Sequence, residues 1–131
     1  MTDRKLNALV VDDEPAIAQL VEACLRHTNL WNVVFFTDSR DALEHYRKNY
    51  MSIDAVITDM MMPYLDGYEL YKGVKSINPD AHVILMTGSY DEDKLAELQE
   101  KDRVSLFRKP FEMEDFRMFF TNFANITLEQ K

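Results

Sequence analysis

The stretch Leu6-Asn7-Ala8-Leu9-Val10-Val11-Asp12-Asp13-Glu14-Pro15 indicates the fold of this 131-residue chain. Its run Leu9–Val11 is continuously apolar, which is typical of a parallel strand buried on both faces, since a half-exposed strand would alternate. The acidic residues and Pro15 that follow are typical of the first turn of a helix. The stretch therefore predicts a buried strand that leads directly into a helix.

The same strand-then-helix unit recurs along the chain. Strands are predicted at Leu6–Val11, Trp31–Phe36, Ile53–Thr58, His82–Met86 and Ser105–Arg108. Helices are predicted to begin near Pro15, at Asp38 or Ser39, at Asp66-Gly67, at Asp91 and at Glu112. Five alternating units predict an α/β protein, a flavodoxin-like three-layer sandwich in which a five-stranded parallel sheet has the order 2-1-3-4-5 and five helices cover it.

We expect residues 1–131 to form one domain, with a core that spans residues 6–123. Ile17, Leu20, Val21, Cys24 and Leu25 have the spacing of one buried face of helix one. The last helix is predicted over Glu112–Ala124, followed by a short tail, residues 125–131.

Composition excludes several classes of protein. The 15 lysines and arginines against 23 aspartates and glutamates give a net charge of −8, which argues against direct binding of nucleic acid. No apolar run is long enough to cross a membrane, and no secretory signal precedes the first strand. The single cysteine agrees with a reducing compartment, so we expect a cytoplasmic protein.

Polar side chains stand at the carboxyl ends of four predicted strands. Asp12 and Asp13 follow strand one, Asp59 follows strand three, Thr87 follows strand four and Lys109 follows strand five. These strands are neighbours in the predicted order, and ligands bind at this edge of open α/β sheets. One polar residue at a strand end is ordinary, whereas a set of five that converges predicts a site.

The chemistry of that set favours phosphoryl transfer. Adjacent carboxylates repel one another, and Mg²⁺, or Mn²⁺ in its place, would remove that cost because hard cations prefer oxygen ligands. A lysine ammonium suits a phosphate oxygen. A carboxylate can accept a phosphoryl group as an aspartyl phosphate, and Asp59, in the middle of the array, is the candidate acceptor.

Five motifs in chain order resemble a CheY-like response-regulator receiver domain of two-component signalling: Val10-Val11-Asp12-Asp13-Glu14-Pro15, Asp59-Met60-Met61-Met62-Pro63, Leu65-Asp66-Gly67-Tyr68-Glu69-Leu70, Thr87-Gly88 and Lys109-Pro110-Phe111. The likeness extends from Leu6 to about Phe123. The resemblance implies a phosphoprotein that takes part in phosphorelay signal transduction. Such a protein would catalyse its own phosphorylation and dephosphorylation and would otherwise not be an enzyme.

The resemblance also implies ligands and partners. Asp59 would be phosphorylated by the phosphohistidine of a sensor histidine kinase or a histidine phosphotransfer protein. Asp13, Asp59 and the backbone carbonyl of Met61 would bind Mg²⁺ directly, and Asp12 would act mainly through water. Lys109, in a cis peptide with Pro110, would pair with the phosphoryl group.

The resemblance further implies how the signal leaves the site. Thr87 would move toward the phosphoryl group and change a partner-binding face around helix four, strand five and helix five, which a downstream effector protein would read. Independently of the resemblance, helix five has more large apolar residues than one narrow stripe needs, so Phe119 is a candidate for a contact with a partner or in a homodimer. Many receivers have an aromatic residue where Leu106 stands, and strand alternation puts the nearest ring, Phe107, on the opposite face.

The resemblance also implies that Met61 and Ser89 flank the phosphoryl group and tune the lifetime of the phosphate. Met61 offers no polar atom to orient water, which predicts slow self-dephosphorylation.

Three other functions fit the sequence less well. A haloacid-dehalogenase-type phosphatase also uses Asp, Mg²⁺ and Lys, but it places an Asp-x-Asp-x-Thr pattern after strand one, which this chain lacks. A flavodoxin-like FMN carrier would need a Ser/Thr/Gly-rich first loop. A phosphorylation-independent, receiver-like scaffold would be expected to lack the acceptor or the lysine, and both Asp59 and Lys109 are present.

Overall fold

A computed structural model describes residues 4–88 and 91–129. Strands and α-helices alternate along this part of the chain: β1 (Leu6–Val11), α1 (Pro15–His27), β2 (Trp31–Phe36), α2 (Ser39–Asn49), β3 (Ala55–Asp59), α3 (Gly67–Ile77), β4 (Val83–Thr87), α4 (Glu92–Gln99), β5 (Val104–Arg108) and α5 (Met113–Glu129). A short 3₁₀ turn, Tyr50–Ser52, follows α2. The predicted alternation of strands and helices is confirmed.

The strands form one parallel sheet in the order β2-β1-β3-β4-β5, which is the predicted order. Val11 pairs with Thr58, Asp59 with Met86 and Thr87 with Arg108. The carboxyl ends of β1, β3, β4 and β5 therefore meet at one edge. Asp59 and Thr87 are the last residues of their strands rather than the first residues of the loops that follow.

Side chains alternate between the two faces of the sheet and form two cores. One core lies under α1 and α5, and the other lies under α2, α3 and α4. Phe107 packs in the first core, with its ring centroid 5.1 Å from that of Phe119, whereas Leu106 packs in the second. The prediction that these two neighbours face opposite sides is confirmed.

Helix α5 is longer than predicted, because it continues past Ala124 to Glu129. The prediction of a tail from residue 125 onward is thus wrong for residues 125–129. Ala124 is buried and Leu128 is partly buried against the same core, so the apolar spacing begun by Phe116 and Phe120 continues for another turn. Phe119 is itself partly buried in that core, and a homodimer contact through it stays a prediction.

One smaller expectation, for the buried face of α1, is also wrong. Leu20 is 50% exposed, although its spacing places it beside Val21 and Leu25, which are buried. Its position lies at the edge of the apolar stripe, where packing of α1 against the sheet leaves it outside.

Within the described ranges, none of the helices has both the length and the apolar character that crossing a bilayer requires.

His82, just before β4, makes stability depend on pH. Its ring packs edge-on against Phe123 at a centroid distance of 5.0 Å, and burial, assisted by the charges of Arg103 and Lys75, lowers the pKa of the imidazole. The unfolded chain therefore binds a proton at His82 more readily than the folded protein does. The stability that the folded protein gains from a neutral His82 is fully present above the unfolded pKa of about 6.5, and it is lost as pH falls toward the folded pKa. We expect His82→Leu to flatten the decrease in the free energy of unfolding between about pH 7 and about pH 5.

Urea denaturation at several pH values measures this dependence. The matched control is His27→Leu, which removes a histidine at the end of α1 and keeps His82. A His82→Leu profile as steep as that of the unsubstituted protein would contradict the prediction.

Candidate functional site

An acidic cluster lies at the carboxyl edge of the sheet. Asp12 and Asp13 follow β1, and Asp59 ends β3, next to β1 in the sheet. One carboxylate oxygen from each of these residues lies within 4.8 Å of the other two. Asp12 and Asp59 are buried, whereas Asp13 is more accessible. The parallel register thus brings together the carboxylates that the sequence predicted to converge.

Asp12 is the most deeply buried carboxylate of this cluster. It is 0% exposed; its Oδ1 accepts a hydrogen bond from the Glu14 backbone N–H at 3.0 Å, and its Oδ2 has no hydrogen-bond partner among the described residues. Burial raises the pKa of Asp12 to about 6, and the negative charges of Asp59 and Asp13 contribute less. Burial, rather than the repulsion expected from the sequence, is therefore the main cause of the shift.

Lys109 supplies the positive charge of the site. Its Nζ donates a hydrogen bond to Asp59 Oδ1 at 2.9 Å, and Asp59 is only 7% exposed. The Lys109 backbone N–H donates to the Thr87 carbonyl at 2.6 Å, which extends the pairing of β4 and β5 by one residue. The peptide bond from Lys109 to Pro110 is cis, as predicted.

Thr87 ends β4 at the same edge of the sheet. The residue is 1% exposed, and its Oγ1 has no hydrogen-bond partner in the part of the chain that the structure describes. Burying a hydroxyl without a hydrogen-bond partner costs about 1–3 kcal/mol. We therefore expect this hydroxyl to form a hydrogen bond with a group that binds at the site. Ser89 lies outside the described residues, and its predicted role stays a prediction.

The loop between β3 and α3 completes the site, and sequence reasoning missed how tightly it is built. Asp66 caps α3 by accepting from the Glu69 N–H at 2.8 Å, while Glu69 accepts from the Asp66 N–H at 3.0 Å. The Gly67 N–H donates to the Met60 carbonyl at 2.8 Å, so α3 begins directly against the end of β3. The Met61 side chain is 60% exposed on this loop.

The donor set fits a hard divalent cation. Three carboxylate oxygens within 4.8 Å of one another are ligands of the kind that Mg²⁺ prefers. The buried Asp12 Oδ2, which lacks a hydrogen-bond partner among the described residues, is a polar atom that a cation or its water would satisfy. Lys109 neutralises part of the cluster and leaves net negative charge for the cation.

We expect Asp12→Asn to stabilise the cation-free protein, because it replaces a buried carboxylate with a neutral group of the same shape. The asparagine oxygen can keep the hydrogen bond from the Glu14 N–H. The free energy of unfolding is expected to rise by about 1–2 kcal/mol at neutral pH. This gain is smaller than the free energy that corresponds to the whole pKa shift. Urea denaturation in the presence of a chelator measures the change.

The matched variant is Asp13→Asn, which neutralises the more accessible carboxylate and is expected to change stability less. An Asp12→Asn protein that is less stable than the unsubstituted protein would contradict the burial argument.

Comparisons with known proteins agree on the family. The response regulator receiver domain model matches residues 8–120. The probable transcriptional regulatory protein TcrX of Mycobacterium tuberculosis is 34% identical over 113 residues, which are 84% of this chain and 46% of that protein. The transcriptional regulatory protein ZraR of Escherichia coli K12 is 28% identical over 117 residues, 89% of this chain and 26% of that protein. The chain thus spans less than half the length of these relatives.

Solved structures give the same result. A response regulator receiver domain protein from Clostridium thermocellum superposes with a TM-score of 0.84 at 31% identity, covering 96% of this chain and 99% of that one. The chemotaxis protein CheY4 of Vibrio cholerae has a TM-score of 0.77 at 26% identity, covering 90% and 98%. The matched residues 8–120 contain the carboxylate cluster, Thr87 and Lys109, and the chain belongs to the response regulator receiver domain family.

Proposed function

We propose that this chain is a signalling switch that accepts a phosphoryl group on Asp59 from the phosphohistidine of a sensor histidine kinase or a histidine phosphotransfer protein. The observation that carries the proposal is the contact of Lys109 Nζ with Asp59 Oδ1 at 2.9 Å, beside the Asp12 and Asp13 carboxylates. Receiver domains of two-component response regulators act in phosphorylation-controlled signalling, so family membership supports the same conclusion.

In the proposed step, a carboxylate oxygen of Asp59 attacks the phosphorus of the donor phosphohistidine. The new P–O bond forms as the P–N bond breaks, and the electron pair of that bond stays on the donor imidazole nitrogen. Phosphoryl transfer requires mainly that charge on the phosphoryl oxygens be stabilised. The Lys109 ammonium, which already donates to Asp59, is in place to pair with one of these oxygens.

Asp13, Asp59 and the Met61 backbone carbonyl would hold Mg²⁺ directly, with Asp12 acting mainly through water, and Mn²⁺ would be an alternative. When bound, the cation would neutralise charge on the phosphoryl oxygens. Asp12 is buried, and its Oδ2 has no hydrogen-bond partner in the residues that the structure describes, which supports a role in which this carboxylate orients a bound water rather than faces bulk solvent.

The readout would begin at Thr87, whose buried hydroxyl has no hydrogen-bond partner among the described residues. A phosphoryl oxygen on Asp59 would supply one, and the movement of Thr87 would alter the face formed by α4, β5 and α5, where a downstream effector binds. Leu106, packed in the core under α2, α3 and α4, replaces the aromatic ring that many receivers use at this position. The proposed readout therefore depends on Thr87 without a ring flip.

Mass spectrometry after incubation with acetyl phosphate and MgCl₂ tests the proposal. We expect one added phosphate that is removed by hydroxylamine, which cleaves acyl phosphates, and no adduct when a chelator replaces MgCl₂. The absence of an adduct would favour a phosphorylation-independent scaffold. An adduct that forms equally well with the chelator would contradict the role proposed for the cation.

Met61→Asn is expected to shorten the lifetime of the phosphorylated state several-fold. The Met61 side chain is 60% exposed beside the site and has no group that orients water, whereas an asparagine amide would position a water for attack on phosphorus. The loss of the phosphorylated mass is followed after acetyl phosphate is removed. The matched control is Met118→Asn on α5, where the side chain is 51% exposed. An unchanged half-life would refute the tuning role of Met61.

A further inference from the structure

Ser39 makes two hydrogen bonds to a distant loop, although the sequence predicted only that it or Asp38 caps α2. Asp38 is the cap, because its Oδ1 accepts from the Arg40 N–H at 2.9 Å. The Ser39 side chain instead accepts from the Leu65 N–H at 3.2 Å and donates to the Pro63 carbonyl at 3.3 Å. Ser39 is 1% exposed, so both bonds are shielded from water.

A second contact holds the residue between those two anchor points. The Arg40 guanidinium lies over the Tyr64 ring, with Cζ 3.5 Å from the ring centroid. Asp38 fixes that guanidinium through Nε at 3.2 Å and Nη2 at 2.8 Å. Tyr64 has φ 69, a left-handed conformation that a side chain this large adopts only when its surroundings impose it.

Three consecutive residues of α2 and its cap, Asp38, Ser39 and Arg40, therefore hold the loop segment 63–65. We call them the α2 clamp. The same loop is fixed at its other end, where the Met60 N–H donates to the Met86 carbonyl at 2.9 Å and the Met60 carbonyl accepts from the Gly67 N–H at 2.8 Å. Met61 lies between Met60 and the segment 63–65, so the positions of these two fixed points restrict its backbone.

We propose that Ser39 is a positioning residue for cation binding, a role that rests on the metal ligation proposed above for the Met61 carbonyl. The clamp fixes residues 63–65 and the Met60 hydrogen bonds fix the start of the loop, so the backbone at Met61, which would carry the ligand carbonyl, is held from both sides. Without the Ser39 hydroxyl, the Leu65 N–H and the Pro63 carbonyl lose their shielded partner and the loop samples other paths. The carboxylates remain in place, so cation binding weakens and is not abolished.

Isothermal titration of the unphosphorylated protein with MgCl₂ tests this role. We expect Ser39→Ala to raise the Kd for Mg²⁺ by about tenfold, the lower end of the effect of losing a group that orients a metal ligand. Ser39→Thr keeps the hydroxyl and is expected to restore most of the affinity. The matched control is Ser52→Ala, which removes an exposed serine that bonds to the Asn49 carbonyl at 3.0 Å.

The rate of phosphorylation by acetyl phosphate separates positioning from general loss of stability. We expect Ser39→Ala to raise the Mg²⁺ concentration at half-maximal rate and to leave the rate at saturating Mg²⁺ nearly unchanged. A variant with a lower melting temperature but an unaltered Kd and half-maximal concentration would overturn the proposal and leave the proposed function intact. An unsubstituted protein that neither binds Mg²⁺ nor gains phosphate would overturn both.

Arg40→Ala provides the second variant if Ser39→Ala does not fold. It removes the contact with Tyr64 at an exposed position and keeps the backbone N–H that Asp38 accepts from. We expect a smaller rise in the Kd for Mg²⁺, about two- to threefold. An unchanged Kd in this variant would then count against the clamp.

Discussion

Replacing Asp59 with asparagine is expected to abolish phosphorylation of the protein by acetyl phosphate. An amide lacks the anionic oxygen that attacks phosphorus, so the P–O bond of the acyl phosphate does not form. The asparagine side chain is nearly isosteric with that of the aspartate, which is 7% exposed, and the fold is expected to persist. Intact mass spectrometry of the Asp59→Asn variant should show no added phosphate under conditions that modify the unsubstituted protein.

Asp80→Asn is the matched control, because Asp80 is an exposed carboxylate that precedes β4 at the opposite edge of the sheet. We expect it to be phosphorylated like the unsubstituted protein. Phosphate incorporation in Asp59→Asn equal to that of the control would show that another group is the acceptor. Peptide mapping would then identify that group, and the role proposed for Lys109 would have to be revised with it.

Gly67→Ala is expected to destabilise the fold by about 3 kcal/mol, at the upper end of the range for overpacking. A Cβ at this position would lie 2.6 Å from the Asp59 carbonyl oxygen and 2.7 Å from the Met60 Cα. Both are backbone atoms of the last strand residue and the residue after it, so neither yields without moving the strand. Because Asp59 is one of them, we also expect slower phosphorylation.

The matched control is Gly73→Ala in the middle of α3. A Cβ there would lie 3.0 Å from Leu43 Cδ1 and Cδ2, which are the far end of a flexible side chain. Alanine is favoured over glycine in a helix by about 1 kcal/mol, and this gain offsets the adjustment of Leu43. Urea denaturation should therefore separate the two variants, and equal stability of both would contradict the close approach of α3 to β3.

The order of the elements could be predicted because it depends on local patterns. Continuous apolar runs such as Leu9–Val11 are typical of strands covered on both faces, and the intervening spacings are typical of amphipathic helices. Because the crossover connections between parallel strands are right-handed, only a few strand orders remain possible for the sheet. The end of α5 was missed because Leu128 alone continues the i, i+4 spacing of Phe116, Phe120 and Ala124, and one apolar residue among polar neighbours does not indicate another helical turn without the core on which it packs.

Local sequence patterns are sufficient to predict which residues meet at the carboxyl edge of the sheet, because strand ends fix the positions of Asp12, Asp59 and Lys109 once the order of the strands is known. The raised pKa of Asp12 could not be predicted in this way, since the burial that causes it depends on every element packed around the side chain. The same holds for the bonds of Ser39 to the backbone of a loop 24 and 26 residues away. Hydrophobic periodicity indicates which face of a helix or strand is buried. The distances between loops that are remote in sequence are set only when the helices and strands pack together.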